Sequence, residues 1–505
     1  MHYSFKQKNK LRVVKVFYPT CFLFLLSCVL IPPVGESYKK PEIKSPKSWL
    51  NFFNQEEKEN KNDEPTEFEK SELSWWHKFG DDTLNYLVEE ALENNYDYRL
   101  AQSRVVEARS NITAKTANLL PQASAKASGT RFNSFFNPVN PSQHPIINFF
   151  TAGFDASWEL DLFGGNYRAR QAAKALHEAS NEAKNYILVS LIAEVVRNYT
   201  ELRKFQNQLE AQKMISAFYD EIIALAQEKR DVGLLSEIDF NRLNIEALNN
   251  QSDLTIIRSQ ADTALYNLEF LLGKNPGEMK EMLERKIEIP IFNRNLLVKA
   301  PASLLRDRPD IKQAERELAA AHANIGYALA QVFPKISLTG FFGYNNTKSG
   351  NLIAPQSRVF SSGVQVSQSF NALGVIAGYK IAKAKKSQAL INYEATVNKA
   401  LLDVESSLSS YSNELTRFDL SSRSFVSSQI INNLNRAKFD QGLISYSDFL
   451  KSQIEYLKSK QEFDQRKSDF VFKTVAVYKA LGGGWQVLDK KTLDKKNKDI
   501  KKSKK

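Results

Sequence analysis

Histidine is the residue type most readily put to catalytic or metal-binding use, and this chain holds five: His2, His77, His144, His177 and His322. No two share a spacing that would bring their imidazoles to one ion. The sequence has no phosphate-cradling P-loop, no Gly-x-Gly-x-x-Gly fingerprint and no Gly-x-Ser-x-Gly nucleophile turn. The acidic pairs Asp81/Asp82 and Glu89/Glu90 read as solvated faces or helix N-terminal charges. These residues point away from an enzyme, and neither a cofactor nor a metal is expected.

The remaining polar residues of interest come in matched copies. A slide of 213 residues carries Asp97, Ala101, Ala108, Asn111, Ile112, Ala117, Pro121 and Ser124 onto Asp310, Ala314, Ala321, Asn324, Ile325, Ala330, Pro334 and Ser337. A slide of 209 carries Lys229, Asp231, Gly233, Leu234, Ser236, Asp239 and Phe240 onto Lys438, Asp440, Gly442, Leu443, Ser445, Asp448 and Phe449. Solenoid repeats are roughly 20–50 residues long, so copies this far apart are a duplicated domain.

At the matched positions, Gly233 and Gly442 stand where a helix must stop, and Ser236 and Ser445 where the next must be capped. Leu234 and Leu443 then project apolar side chains from a turn unless a partner covers them. Asp239 and Asp448 follow one turn into the returning helices, and Lys451 stands three residues after Asp448.

These turns must be carried by very long helices. Arg168 to Asp231 contains neither Pro nor Gly, which at 1.5 Å per residue gives a strut of ~95 Å. Val397, Leu401, Val404, Leu408, Tyr411, Leu415 and Phe418 alternate steps of four and three, as do Leu188, Ile192, Val195, Tyr199 and Leu202. That is a coiled-coil seam.

Ahead of each strut the period changes to two. Phe154, Ala156, Trp158, Leu160 and Leu162 alternate with Gly153, Asp155, Ser157, Glu159 and Asp161. One face suits lipid and the other a wet lumen, the pattern of an outer-membrane strand. Asp155, Glu159 and Asp161 are therefore expected to line the barrel lumen, making it acidic and cation-preferring. Residues 121–163 and 334–371 form one hairpin in each repeat. Four strands cannot close a barrel, and an open edge in lipid leaves backbone groups unsatisfied. Three copies would supply twelve strands; two or four would also meet the edge argument.

The net charge of +12 sits mainly at the ends, in Lys6, Lys8, Lys10, Arg12 and Lys15 and in a Lys-rich segment after Trp485. The nearly neutral body has no nucleic-acid footprint. The basic start, the apolar run Val13–Leu26 and Leu25-Leu26-Ser27-Cys28 read as a lipoprotein signal, with Cys28 the lipidated residue.

Several motifs together carry a family resemblance. They are Trp75-Trp76 with Phe79-Gly80-Asp81, Leu119-Leu120-Pro121, and Ser157-Trp158-Glu159-Leu160-Asp161-Leu162-Phe163-Gly164. Further along come Arg308-Pro309-Asp310-Ile311, Ala323-Asn324-Ile325-Gly326, Phe333-Pro334-Lys335-Ile336-Ser337-Leu338 and Ala480-Leu481-Gly482-Gly483-Gly484-Trp485. In this order the chain resembles the TolC-like outer-membrane efflux factors, in the lipoprotein branch serving resistance-nodulation-division pumps. The resemblance implies an α+β membrane protein, a homotrimer with a twelve-stranded outer-membrane β-barrel continued by a periplasmic α-helical barrel.

The expected organisation is a signal peptide at 1–27 and a lipidated linker and equatorial segment at 28–80. A first repeat spans 81–273 with long helices over 166–273, and an equatorial connection spans 274–305. A second repeat spans 306–485 with long helices over 375–482, and 486–505 is a basic disordered tail. The resemblance further implies that Gly233, Leu234, Ser236, Gly442, Leu443 and Ser445 dock a periplasmic membrane-fusion adaptor fed by an inner-membrane transporter. It also implies that Asp239 and Asp448 contribute to the periplasmic gate; Lys451 departs from the family pattern, standing where many relatives carry a second aspartate, and is expected to pair with an acid across the constriction. The function expected is a passive exit duct for small molecules; the alternatives are a duct for type I protein secretion and a periplasmic coiled-coil scaffold.

Overall fold

Asp81 starts the first helix by accepting hydrogen bonds from the backbone N–H groups of Thr83 and Leu84, at 2.8 and 3.1 Å. A 3-10 turn, Trp75–Phe79, precedes helix α1, Asp82–Asn94. The computed structural model describes residues 33–42, 46, 48–50, 74–133, 146–284, 288–291 and 307–483. Helix α2, Tyr96–Ala117, leads into strands β1, Gln122–Asn133, and β2, Ile146–Leu160. The first strut is α3, Gly165–Asp231, and α4, Glu237–Leu271, returns from it. The second repeat runs α5, Pro309–Ala330; β3, Lys335–Asn346; β4, Arg358–Ser367; α6, Ala372–Asp440; and α7, Tyr446–Ala480. The struts are 67 and 69 residues long and both returning helices are 35. No described helix is long and apolar enough to cross a membrane.

The two hairpins join in one antiparallel sheet of order β1-β2-β3-β4. Directly paired residues share a face, so the register sorts the side chains. One face carries the rows Ala125–Phe154–Phe342–Phe360, Trp158–Leu338–Val364 and Leu160–Ile336–Val366. The other carries Ser124–Asp155–Phe341–Ser361 and Glu159–Ser337–Gln365. Phe154, Phe342, Phe360, Val364 and Val366 are all exposed, so the apolar face is bare in the single chain. The outer edges of β1 and β4 have no strand partner among the described residues.

The described residues divide into two compact units that cut across the repeats. One holds the strands, within Val105–Ser180 and Ala314–Tyr393, together with the described part of Met1–Glu42. In it, Ala172 and Ala175 pack with Ala319, Ala320 and Ala323. Small residues let these helices approach closely. The other unit takes the rest of the helices. Leu188, Ile192, Val195, Tyr199 and Leu202 are buried there, as are Val397, Val404, Leu408, Tyr411 and Phe418. Its second-repeat helices also stack an aromatic ladder. Phe418 meets Phe463 and Phe470 at 5.8 and 5.2 Å, and Phe425 meets Phe463 and Tyr456 at 4.9 and 5.9 Å.

Each repeat locks its returning helix to its first helix at the same place. Asn95 Nδ2 donates to the Leu271 carbonyl at 3.0 Å, and Arg308 Nη1 to the Ala480 carbonyl at 2.7 Å. The 209-residue slide superposes these two carbonyls. The side chain from the first helix is neutral in one copy and charged in the other. Arg308, buried, is balanced by Asp310 at 2.6 Å and Asp403 at 3.4 Å.

Local geometry adds three details. The helix ahead of the first hairpin breaks at Asn95, whose Oδ1 accepts from the Tyr98 N–H and begins α2 afresh. Strand β2 begins at Ile146, ahead of the stretch of strict alternation. Asp161 lies one residue past β2. Its oxygens accept from the backbone N–H groups of Asn166 and Tyr167 at 3.0 and 2.7 Å, so it caps α3. Cys28 with the signal segment, much of the 274–305 connection, and the chain from Gly484 onward lie outside the described residues.

Candidate functional site: two helical tips and a polar strand face

The tip between α3 and α4 is closed by backbone chemistry. Gly233 N–H donates to the Arg230 carbonyl and Leu234 N–H to that of Lys229, both at 2.8 Å. This Schellman closure places Gly233 at φ 77, where a side chain would be strained. The tip between α6 and α7 repeats it: Gly442 donates to Phe439 at 2.9 Å, Leu443 to Lys438 at 2.8 Å, and Gly442 has φ 69.

Ser236 and Ser445 cap the returning helices as expected. Each Oγ accepts the N–H of the aspartate three residues on, Asp239 or Asp448, at 3.1 Å. Each hydroxyl donates back to that aspartate's Oδ2 at 2.7 Å. Within one chain, both carboxylates are therefore engaged at their own helix N-termini. Asp239 also faces Arg242 at 3.5 Å. Lys451 falls on Arg242 under the same slide, is exposed, and makes no ion pair among the described residues.

The tips differ in what braces them. In the first, the Arg230 guanidinium lies over the Phe240 ring at 4.3 Å and faces Glu237 at 3.9 Å. In the second, the matched residues are Phe439, Phe449 and Tyr446. Phe439 stacks on Phe449 at 4.7 Å and packs against Tyr446 at 5.5 Å. The Tyr446 hydroxyl donates to Glu221, which raises the phenol's pKa above the ordinary value. The outward faces differ too. Val232, Leu234 and Ile238 are 69, 78 and 72 % exposed at the first tip; their counterparts are Gln441, Leu443 (67 % exposed) and Ser447.

On the polar strand face, Asp155 and Glu159 sit where alternation placed them. Basic residues share that face. Lys335 Nζ lies 3.7 Å from Glu159, and Lys126 pairs with Gly153 on the same face, next to the Ser124–Asp155 pair. The described strands thus carry two acids and two lysines there, because β1 and β3 contribute bases that a reading of β2 alone omits. Phe341 fills the space over Gly153 and Gly343, at whose positions a Cβ would come within 2.9 and 2.8 Å of its ring. At one end, Trp158 Nε1 donates to the Leu119 carbonyl at 3.0 Å.

Sequence reasoning missed the ionic-versus-aromatic difference between the tips and the ladder above it. The ladder had a signal: Tyr411, Phe418, Phe425, Asn432 and Phe439 recur every seven residues, as do Phe449, Tyr456, Phe463 and Phe470. Asn432 is the one polar member of these two sets. It meets Gln453, which donates to its Oδ1 at 2.7 Å.

The family described as outer membrane efflux protein matches the chain in two stretches, residues 87–274 and 300–483. The chain is 30% identical over 421 residues to the solvent efflux pump outer membrane protein SrpC of Pseudomonas putida, covering 81% of this chain and 87% of that one. It is 28% identical to the probable outer membrane lipoprotein SilC of Salmonella typhimurium, over 82% of this chain and 88% of that one. Among solved structures, the outer-membrane channel OprN matches with a TM-score of 0.74 at 29% identity, covering 90% of this chain and 99% of that one. Duplicated strands, struts and tips together with these matches lead to one conclusion: the chain belongs to the outer membrane efflux protein family and is an outer-membrane component of an efflux system.

Proposed function

We propose that the chain is the passive exit duct of a tripartite efflux pump, assembled as a homotrimer and lacking any catalytic step of its own. The single observation carrying this reading is the sheet. Its apolar face is bare, its polar face is charge-balanced, and the outer edges of β1 and β4 have no strand partner among the described residues. In lipid such edges must be satisfied by strands of other chains. Three copies of four strands give a closed barrel of twelve, and the struts then continue the wall.

Exposed seams on the helices fit the same assembly. Leu420, Ile431 and Leu434 on α6 and Ile238, Ile245 and Ile256 on α4 are all exposed in the single chain. Neighbouring copies would cover them. Energy would come from an inner-membrane transporter, of the resistance-nodulation-division type, through a periplasmic adaptor. The relative named for solvent efflux supports small-molecule cargo, and the relative named a lipoprotein supports acylation at Cys28.

The tips are the adaptor-docking ends, with Gly233, Ser236, Gly442 and Ser445 shaping them and Leu234 and Leu443 making contact. Burying one leucine contributes ~1.5–3 kcal/mol, so Leu234→Asp should weaken capture of the adaptor at least tenfold. Asp239, Asp448 and Lys451 form the gate, where Lys451 is positioned to pair with an acid of another copy. Lys451→Glu should then increase leak of an antibiotic normally excluded; unchanged permeability would remove Lys451 from the gate.

The functional test is reconstitution in a planar bilayer, paired with drug-susceptibility rescue in a strain lacking its own outer-membrane duct. Stable conductance with restored resistance is expected. Conductance without resistance, combined with restored export of a type I secreted protein, would favour the secretion duct instead.

A further inference from the structure

Residues 33–38 lie across α3 and α5 and are held mainly by their backbone. Arg168, 4 % exposed, donates from Nε to the Val34 carbonyl at 3.2 Å and from Nη2 to those of Gly35 and Pro33 at 2.5 and 3.4 Å. Its Nη1 donates to Gln171 at 2.9 Å. Val34 N–H donates to the Phe163 carbonyl at 3.2 Å, just past β2. His322 Nε2 lies 3.0 Å from the Glu36 carbonyl.

The fit is close from both sides. Gly35 has φ 95, and a Cβ there would be 3.2 Å from the Gly326 Cα. A Cβ on Gly326 would be 2.9 Å from Arg168 Nε, and one on Gly164 would be 2.4 Å from the Pro33 Cβ. Beyond the glycines, Tyr38 packs on the alanine trough and donates to Glu315 Oε1 at 2.6 Å. Arg316 braces that carboxylate through two contacts at 2.6 Å. Burial and the Glu315 bond hold the Tyr38 phenol well above its ordinary pKa, so it remains a donor.

We propose that Arg168 is a positioning residue that clamps the strap 33–38, and that the clamp couples the N-terminal membrane anchor to the strand bases during barrel assembly. The proposal rests on the reading of Cys28 as lipidated. Five residue steps separate Cys28 from Pro33, and at 3.3–3.6 Å each they reach at most ~18 Å. A clamped strap therefore limits how far the acyl chains can lie from Pro33, which sits against Gly164 just past β2. An unclamped strap leaves the strands free of the anchor, so insertion loses its local concentration advantage.

Backbone reading makes the strap testable from both partners. Arg168→Gln removes the guanidinium fork, Arg168→Lys keeps the charge but not the geometry, and Gly35→Val perturbs the contact from the strap's side. In full-length protein extracted from outer membranes, hydrogen exchange at the 34–38 amides should rise at least tenfold in Arg168→Gln and Gly35→Val and less in Arg168→Lys. Exchange in the buried seam around Val195 and Tyr199 should stay unchanged. The yield of membrane-inserted oligomer should fall severalfold in the Cys28 chain, while in a Cys28→Ala background Arg168→Gln should cause no further fall.

Unchanged strap exchange would overturn the clamp. Equal losses in both backgrounds would overturn the coupling, because Arg168 would then act only on general stability. A Cys28→Ala chain that inserts as well as wild type would overturn the anchor reading and the coupling with it, while altered strap exchange would still support the clamp.

Discussion

Four glycines end the long helices in nearly the same backbone conformation, and they should respond differently to one added methyl group. Gly233, Gly273, Gly442 and Gly482 have φ of 77, 67, 69 and 68. Replacement by alanine costs each ~1–2 kcal/mol of left-handed strain, a contribution nearly equal across the set. Space is what separates them. A Cβ at Gly233 or Gly442 meets nothing within 4 Å. At Gly273 it would be 2.6 Å from the Asn94 carbonyl oxygen, and at Gly482 it would be 2.8 Å from Arg308 Cγ. Overpacking of this kind adds ~1–3 kcal/mol, and at Gly482 the displaced side chain is the one holding the Ala480 carbonyl and two carboxylates. The closing positions should therefore lose ~2 kcal/mol more than the tips, which is about thirtyfold in local opening. Native-state hydrogen exchange over the last turns of α4 and α7, compared with the last turns of α3 and α6, reads this directly. Equal exchange increases at all four sites would refute the claim that these joints are packed locks and not mere turns.

The tips should separate by salt: Arg230 and Glu237 are screened while Phe439 and Phe449 are not. Raising ionic strength from ~0.05 to ~0.5 M should speed exchange at residues 233–236 more than at 442–445; a matched response would contradict the two bracing modes. Lys335→Gln removes one of two bases from the polar strand face and frees Glu159. Reversal potentials should move towards cation preference in the variant, and an unmoved potential would take that face out of the lumen. Asp464 is buried, and burial raises its carboxyl pKa against the pull of Lys467 and Lys460. A raised acid contributes stability below its unfolded pKa, ~3.9, and loses it as pH climbs through the folded value. Asp464→Asn should therefore be more stable than wild type at neutral pH, with the difference closing below pH ~4; a constant gap across that range would refute the assignment.

Much of this was legible because it rests on period and punctuation. The seam from Leu188 to Leu202 and the Gly-Leu-x-Ser tips need only helical geometry and capping chemistry, so spacing sufficed. The capping role of Asp161 was not legible, because alternation runs past the strand's end and a carboxylate three residues before a glycine pair serves equally as a cap. The charge of the polar face depends on strand register, which places Lys335 beside Glu159 across 176 residues of sequence. The strap is invisible for a related reason: its recognition is through backbone carbonyls, and the side chains that reach them, Arg168 and His322, lie far along the chain.

The account depends above all on closure of the open sheet by other copies of the chain. Protein purified from outer membranes in mild detergent should be imaged as single particles. The prediction is a threefold particle with a short strand barrel on a helical cylinder of ~100 Å. A monomer, or a dimer without a lumen, would contradict it.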